Sequence, residues 1–289
     1  MFDRFREWKA RRGFWQDGLY RFGRNKLAVI GLVISLLLML MTLLAPWITP
    51  FPYEEQNYLE VGVAPDSKHP MGTDELGRDV LSRVIYGGRV SISIGVIVQL
   101  TAVLIGLPLG ALAGYYGGWI DYLVTRLIDV FMAFPSLMMA IFLMVVVGPG
   151  YGNVLFAMIL VAWPFICRLV RSQFLQLRES EFVLAARAIG VKDRQIIFRH
   201  IMPNVVGTVI VAVTLGIPQV IFRESGLSFL GIGIVPPTPS WGQMVGENYM
   251  QIQAYWHIAL FPALTLGLAI LAFTFLGNGL QDALLPRDY

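Results

Sequence analysis

Charge is scarce in this chain. Only 14% of its 289 residues are Asp, Glu, Lys or Arg, against roughly 25% in soluble domains. With 56% hydrophobic residues and a mean hydropathy of +0.64, most of the surface cannot face water. That excludes a pair of soluble domains and leaves one membrane domain with a short soluble remainder. Cysteine is nearly absent: Cys167 stands alone, so an intrachain disulfide is excluded and no redox compartment is signalled. Within an apolar span its thiol is expected to be structural. Lysine is rare too. Lys9, Lys26, Lys68 and Lys192 are the full set and none follows a glycine, which excludes the phosphate-cradling Gly-x-x-x-x-Gly-Lys-[Ser/Thr] loop. Any nucleotide-driven work must draw on another chain. No Gly-x-Ser-x-Gly elbow occurs, and His69, His200 and His257 are far apart in the sequence. No catalytic, cofactor-binding or metal-binding residue is expected, and the chain is read as a non-enzyme.

What is present in quantity is uncharged sequence. A bilayer core about 30 Å thick needs roughly 20 apolar helical residues. The reading places spans at about 27–48, 91–113, 130–148, 153–170, 203–222 and 255–280, an all-α membrane protein of about six transmembrane helices. The third and fourth are separated at Gly148-Pro-Gly-Tyr-Gly152, a turn cluster inside one uncharged run. Residues 1–26 form a cytoplasmic amphipathic segment and 27–289 the membrane domain. The N-terminal segment is basic and aromatic (Phe2, Phe5, Trp8, Phe14, Trp15) and reads as a helix lying on anionic lipid. The run from Leu27 is too long for a signal-peptide core, and no small-residue cleavage site follows it.

The net charge of +3 suggests nucleic acid until the charges are placed. Lys and Arg concentrate in residues 1–26 and in 168–199, both flanking uncharged runs, which is the pattern of topology-setting charge. Nucleic acid is therefore excluded as a partner. The basic ends put both termini and a loop at 171–202 in the cytoplasm, with external loops at 49–90 and 223–254. This order sets His69 outside and His200 inside, where they share no metal. Pro108 and Pro135 are expected to mark kinks, and Gly106, Gly110 and Ala113 to allow close helix packing. Asp129, at the start of the third span, is expected to pair with Arg126, since an unpaired acid at mid-membrane costs roughly 2.5–3.5 kcal/mol.

The cytoplasmic loop carries the most information. Ser180 is a candidate N-cap and Glu181 sets negative charge at the positive end of a short helix. Ala185, Ala186 and Ala188 favour helix, and Gly190 ends it. Asp193 is expected to cap a second short helix running to His200, and Pro203 to sit in the first turn of the fifth span. Two small helices protruding from a membrane bundle fit a groove on another protein, or form an ordinary amphipathic loop.

The segment from Ser180 to Pro203 resembles the EAA loop of the permease subunits of ATP-binding cassette (ABC) importers. Glu181, Ala185, Ala186 and Gly190 fall on that pattern, three residues separate Glu181 from the alanine pair, and Met202 replaces the usual leucine. His69-Pro-Met-Gly-Thr-Asp-Glu-Leu-Gly-Arg-Asp, Leu227-Ser-Phe-Leu-Gly-Ile-Gly through Ser240-Trp-Gly242, and Asp282-Ala-Leu-Leu-Pro-Arg287 resemble the dipeptide, oligopeptide and nickel branch, in its "C"-type permease. The resemblance covers about Gly23 to Arg287. It implies the type I ABC importer (MetI-like) transmembrane fold, with Glu181, Ala185, Ala186, Arg187, Gly190 and Pro203 coupling to the ATPase. It also implies a homologous permease as heterodimer partner, one or two ABC ATPase subunits holding ATP and Mg, an external solute-binding protein and membrane lipid. The implied place is the bacterial inner membrane and the implied cargo is peptide, with nickel or sugar oligomers as alternatives. An ion-gradient-driven carrier is the rival class; it would normally carry acids within its spans, where only Asp129 comes close.

Overall fold

A computed structural model describes residues 14–285. Their regular structure is helical, apart from one isolated antiparallel bridge between Thr73 and Asp79. The helices are α1 (Phe14–Arg24), α2 (Lys26–Leu43), α3 (Val80–Tyr116), α4 (Gly118–Met132), α5 (Ser136–Val147), α6 (Tyr151–Arg178), α7 (Glu181–Ala188), α8 (Asp193–Phe229), α9 (Trp241–Asn248) and α10 (Trp256–Leu284). Local chemistry fixes several starts. The Asn25 side chain accepts from the Ala28 amide at 3.2 Å ahead of α2, and Asp79 accepts from Ser82 at 2.7 Å ahead of α3. A reciprocal capping box between Ser240 and Gln243 opens α9.

Five helices (α2, α3, α6, α8, α10) are long and apolar enough to cross a membrane, and the α4–α5 pair makes a sixth if taken as one span. That pair departs from the straight span expected at 130–148. It bends by 81° between Met132 and Ser136, because Pro135 lacks an amide proton and biases Phe134 away from helix. The other spans are longer than their uncharged cores. α3 begins at Val80, inside the segment read as an external loop; α6 runs on to Arg178, and α8 to Phe229. Charged ends continue these helices into polar surroundings, so charge alone marks the core of a span and not its ends. The expected interfacial segment falls partly on residues 1–13, outside the described residues. Within it, α1 packs on α10, with Gly18 against Leu284.

The bundle is tied together by two close helix pairs. α3 and α6 run parallel in contact along Gly106, Gly110 and Gly114. A Cβ at Gly106 would lie 2.8 Å from the Cys167 amide nitrogen, and one at Gly110 would lie 2.5 Å from the Cys167 carbonyl oxygen. One at Gly114 would lie 2.6 Å from the Arg171 carbonyl oxygen. Small residues thus let the two backbones touch, and Cys167 is fully buried at the seam. α2 and α10 pack antiparallel in the same way, Gly31 against Ala272 and Gly279 against Ala28. α8 bridges the two pairs, packing on both α3 and α10. One core, around Met158, Ile166, Phe174 and Ile196, fills the α3–α6 side. The other, around Val84, Ile221, Trp241 and Phe273, fills the α2–α10 side.

One end of the bundle is closed by the segments between α2 and α3 and between α8 and α9. Trp241 is fully buried there and its Nε1–H donates to the Val84 carbonyl at 2.9 Å. Arg83, also buried, faces Asp74 at 3.5 Å and Glu247 at 3.9 Å, while Arg78 pairs with Asp74 at 2.7 Å. His69 Nδ1 lies 2.8 Å from Asp79, and His257 Nε2 lies 3.1 Å from the Thr73 carbonyl. Among the described residues no cluster of three His, Cys, Asp or Glu side chains could hold a metal ion.

Candidate functional site: a mounted helix at the opposite end

At the other end of the bundle α6 ends, α7 forms a short bracket and α8 begins. α7 has two faces of different fate. Val183 and Ala186, at i and i+3, turn inward and are 0% and 7% exposed, joining the core of Phe174, Ile196 and Ile201. Phe182, Leu184 and Ile189 turn outward and are 44%, 45% and 81% exposed, with Glu181, Ala185 and Arg187 beside them. An eight-residue helix with few partners of its own has little intrinsic stability, so the two inward side chains hold it in place.

Its end is fixed as firmly. Gly190 adopts φ +81°, a left-handed conformation that costs other residues roughly 1–2 kcal/mol. That turn lets the Gly190 amide reach the Arg187 carbonyl at 3.0 Å and the Val191 amide reach the Ala186 carbonyl at 3.1 Å. Both bonds are those of a Schellman cap, and Val191 packs into the same core as Ala186. The start is looser. Ser180 occupies the N-cap position, but its hydroxyl makes no capping bond and donates instead to the Leu177 carbonyl.

Three elements meet beneath α7. The Tyr115 hydroxyl, at the end of α3, donates to Asp193 at the start of α8 at 2.6 Å. The Arg187 guanidinium of α7 stands over the Tyr115 ring at 5.8 Å. Tyr115, and then the Asp193 charge, hold the Arg187 pKa above its ordinary value. Arg178, the last residue of α6, donates to the Gly114 and Tyr115 carbonyls at 3.3 and 3.4 Å, satisfying groups that the end of α3 leaves open.

The residues singled out from sequence therefore divide. Glu181, Ala185, Arg187 and Gly190 lie on the exposed side, whereas Ala186 belongs to the mounting. Asp193 does not cap a helix; it is the first residue of α8 and its carboxylate is taken by Tyr115. The separate second helix to His200 does not exist. Helical structure runs without a break from Asp193 to Phe229, and Pro203 stands, as expected, in the first turn of its regular α-helical part, which begins at Met202. A π turn over Ile196–Ile201 precedes the proline, the Met202 amide reaching back to the Ile197 carbonyl. Such a turn redistributes the backbone bonds ahead of a residue that cannot donate. Asp129 pairs with Arg168 of α6 at 3.0 Å and not with Arg126, whose guanidinium stands over Tyr122. Sequence reasoning also passed over Tyr115, whose role depends on an approach across 78 positions. The outward apolar residues Phe182, Leu184 and Ile189 could have been read from the excess of hydrophobic side chains for so short a helix.

The chain matches two family models. Residues 106–287 match "Binding-protein-dependent transport system inner membrane component", and residues 13–65 match "N-terminal TM domain of oligopeptide transport permease C". It is 40% identical over 273 residues to the dipeptide transport system permease protein DppC of Alkalihalophilus pseudofirmus, covering 94% of this chain and 90% of that one. Identity, length and coverage are the same against the oligopeptide transport system permease protein OppC of Bacillus subtilis: 40% over 273 residues, 94% and 90%. Among solved structures, an inward-facing conformation of the MetNI methionine ABC transporter is similar at TM-score 0.56 and 19% identity, covering 68% of this chain and 93% of that one.

Proposed function

Because this chain belongs to the family of binding-protein-dependent transport system inner membrane components, the permeases of ABC importers, we propose that it forms half of a peptide pathway and takes its drive through α7. The observation that carries this reading is the exposed apolar face of a rigidly mounted helix at one end of the bundle. An apolar surface on a braced helix fits a groove on a second protein. Glu181, Ala185, Arg187 and Gly190 belong to the docking side, Ala186 to its support, and Pro203 to the helix that leads away from it. The groove belongs to an ABC ATPase that holds ATP and Mg, since this sequence has no phosphate-binding loop. The other half of the pathway is a homologous permease, and an external solute-binding protein delivers the cargo at the Trp241 end. Peptide is the cargo by the names of the relatives. The α7 end, with both termini, faces the cytoplasm by the positive charge gathered there.

Function follows from a difference in binding between two states. Closure of the ATPase dimer on ATP changes the groove that holds α7, and only such a differential contact can shift the permease between conformations. α7 connects to α8 through 189–192, and α8 crosses the whole bundle, so displacement at the bracket moves the helix that lines the pathway.

The test is purification of the tagged chain from native membranes in mild detergent. Recovery with a second multi-span permease and Walker-motif ATPases is the expected result, with peptide uptake by the reconstituted complex dependent on ATP and a binding protein. A homo-oligomer that moves solute in liposomes without ATP would overturn the reading and favour a carrier.

A further inference from the structure

α8 carries more than the drive from α7. Along one face it presents Ala212, Leu215 and Gly216, Gln219 and Arg223 to a cleft of about 390 Å³. The facing walls are the bent α4–α5 junction with Phe131, Met132 and Phe134, α6 with Val161 and Phe165, and Gln99 of α3. Nearly all of this lining is apolar. The exceptions are Ser136 and a track of three long polar side chains, Arg223, Gln219 and Gln99, descending from the Trp241 end toward the middle of the bundle.

None of the three has a hydrogen-bond or ion-pair partner among the described residues. That is unexpected for groups so placed. Gln99 is only 6% exposed and lies mid-helix in α3, its amide occupying the space left by Gly216. Arg223 is half-buried and faces no acid among the described residues. Its neighbour Glu224 points the other way, fully buried against Ser91 at 3.1 Å and Ser228 at 2.8 Å. An unpaired cation and an unpaired amide at membrane depth are retained where something else completes them. A guanidinium presents a planar fork of donors matched to a carboxylate, and an amide below it can bond the peptide groups that follow.

We propose that Arg223, Gln219 and Gln99 form a transit site for the carboxylate end of the transported solute, with Arg223 taking the carboxylate and the two glutamines the adjoining amides. The site rests on the reading of the chain as a peptide permease. It also places the anion-recognising group on α8, so that a displacement begun at α7 moves the group holding the cargo.

The experiment uses the complete complex in liposomes, with its binding protein and trialanine as the probe. Uptake and binding-protein-stimulated ATP hydrolysis are measured together for wild type, Arg223→Gln, Arg223→Met and Arg223→Lys. The site predicts that Gln and Met lower uptake at least tenfold while stimulated hydrolysis stays within about twofold, and that Lys restores a third or more of the uptake. Wild-type uptake by Arg223→Gln would overturn the site while leaving the permease reading intact. Failure of Arg223→Gln to assemble would also overturn it, by assigning Arg223 to the assembly of the complex and not to the cargo. A wild-type complex that hydrolyses ATP but moves no trialanine would overturn the peptide reading, and this site with it.

Discussion

Ala185 and Ala186 adjoin in the chain and face opposite ways, the first to solvent and the second into the core under α7. The two substitutions to arginine therefore separate docking from folding. Ala185→Arg is expected to lower binding-protein-dependent uptake at least tenfold and leave the thermal midpoint of the purified complex unchanged. Ala186→Arg buries an unpaired charge, a change that costs about 3–5 kcal/mol, and is expected to lower that midpoint as well. Equal thermal loss from both would show that α7 has no free face. From sequence, the pair was legible as part of one motif but its division was not. Which of two neighbouring alanines is covered depends on where Phe174 and Ile196 stand, and those come from other helices. Gly190 was legible for the opposite reason: a glycine at a helix end needs only local geometry to explain it.

At the level of elements, the α3–α6 seam sets how much motion the bundle can absorb. Gly110→Ala would drive a Cβ to 2.5 Å from a backbone oxygen of α6, and overpacking of this kind costs typically 1–3 kcal/mol. Gly267→Ala in α10 meets no atom within 4 Å and gains helix propensity of about 0.5–1 kcal/mol. Thermal unfolding of the purified complex should separate the two, Gly110→Ala melting lower than wild type and Gly267→Ala not. The expectation that Gly106 and Gly110 allow close packing came from composition, whereas their partner helix could not. The bend between α4 and α5 was partly hidden. Asp121, Arg126 and Asp129 removed α4 from the uncharged run, so Pro135 was read as a kink within a span and not as the junction between two helices. The continuity of α8 was hidden too, because Asp193, Arg194 and Arg199 mask its first turns and a π turn joins them to the α-helix that Pro203 opens.

Over the whole molecule, α8 is the element that links the two ends: it packs on α7 at one end, on α3, α6 and α10 along its length, and on α9 at the other. From Asp193 to Arg223 it spans about 45 Å at roughly 1.5 Å per residue. Softening it should break transmission without breaking assembly. Val206→Gly with Thr208→Gly, either side of Gly207, weakens the helix by roughly 0.3 kcal/mol at each site and leaves three glycines in a row. The double variant is expected to keep its partner subunits and its ATP hydrolysis while uptake per ATP falls several-fold. An unchanged ratio of uptake to hydrolysis would assign transmission to another helix. The seam between α3 and α6 has a practical meaning for following such a motion. Its one thiol, Cys167, is sealed between two backbones with no exposed surface, so the wild-type chain offers a maleimide nothing to react with. A cysteine introduced at Phe182 would carry a fluorophore alone, and the chain is already its own silent background for distance measurements across the bundle.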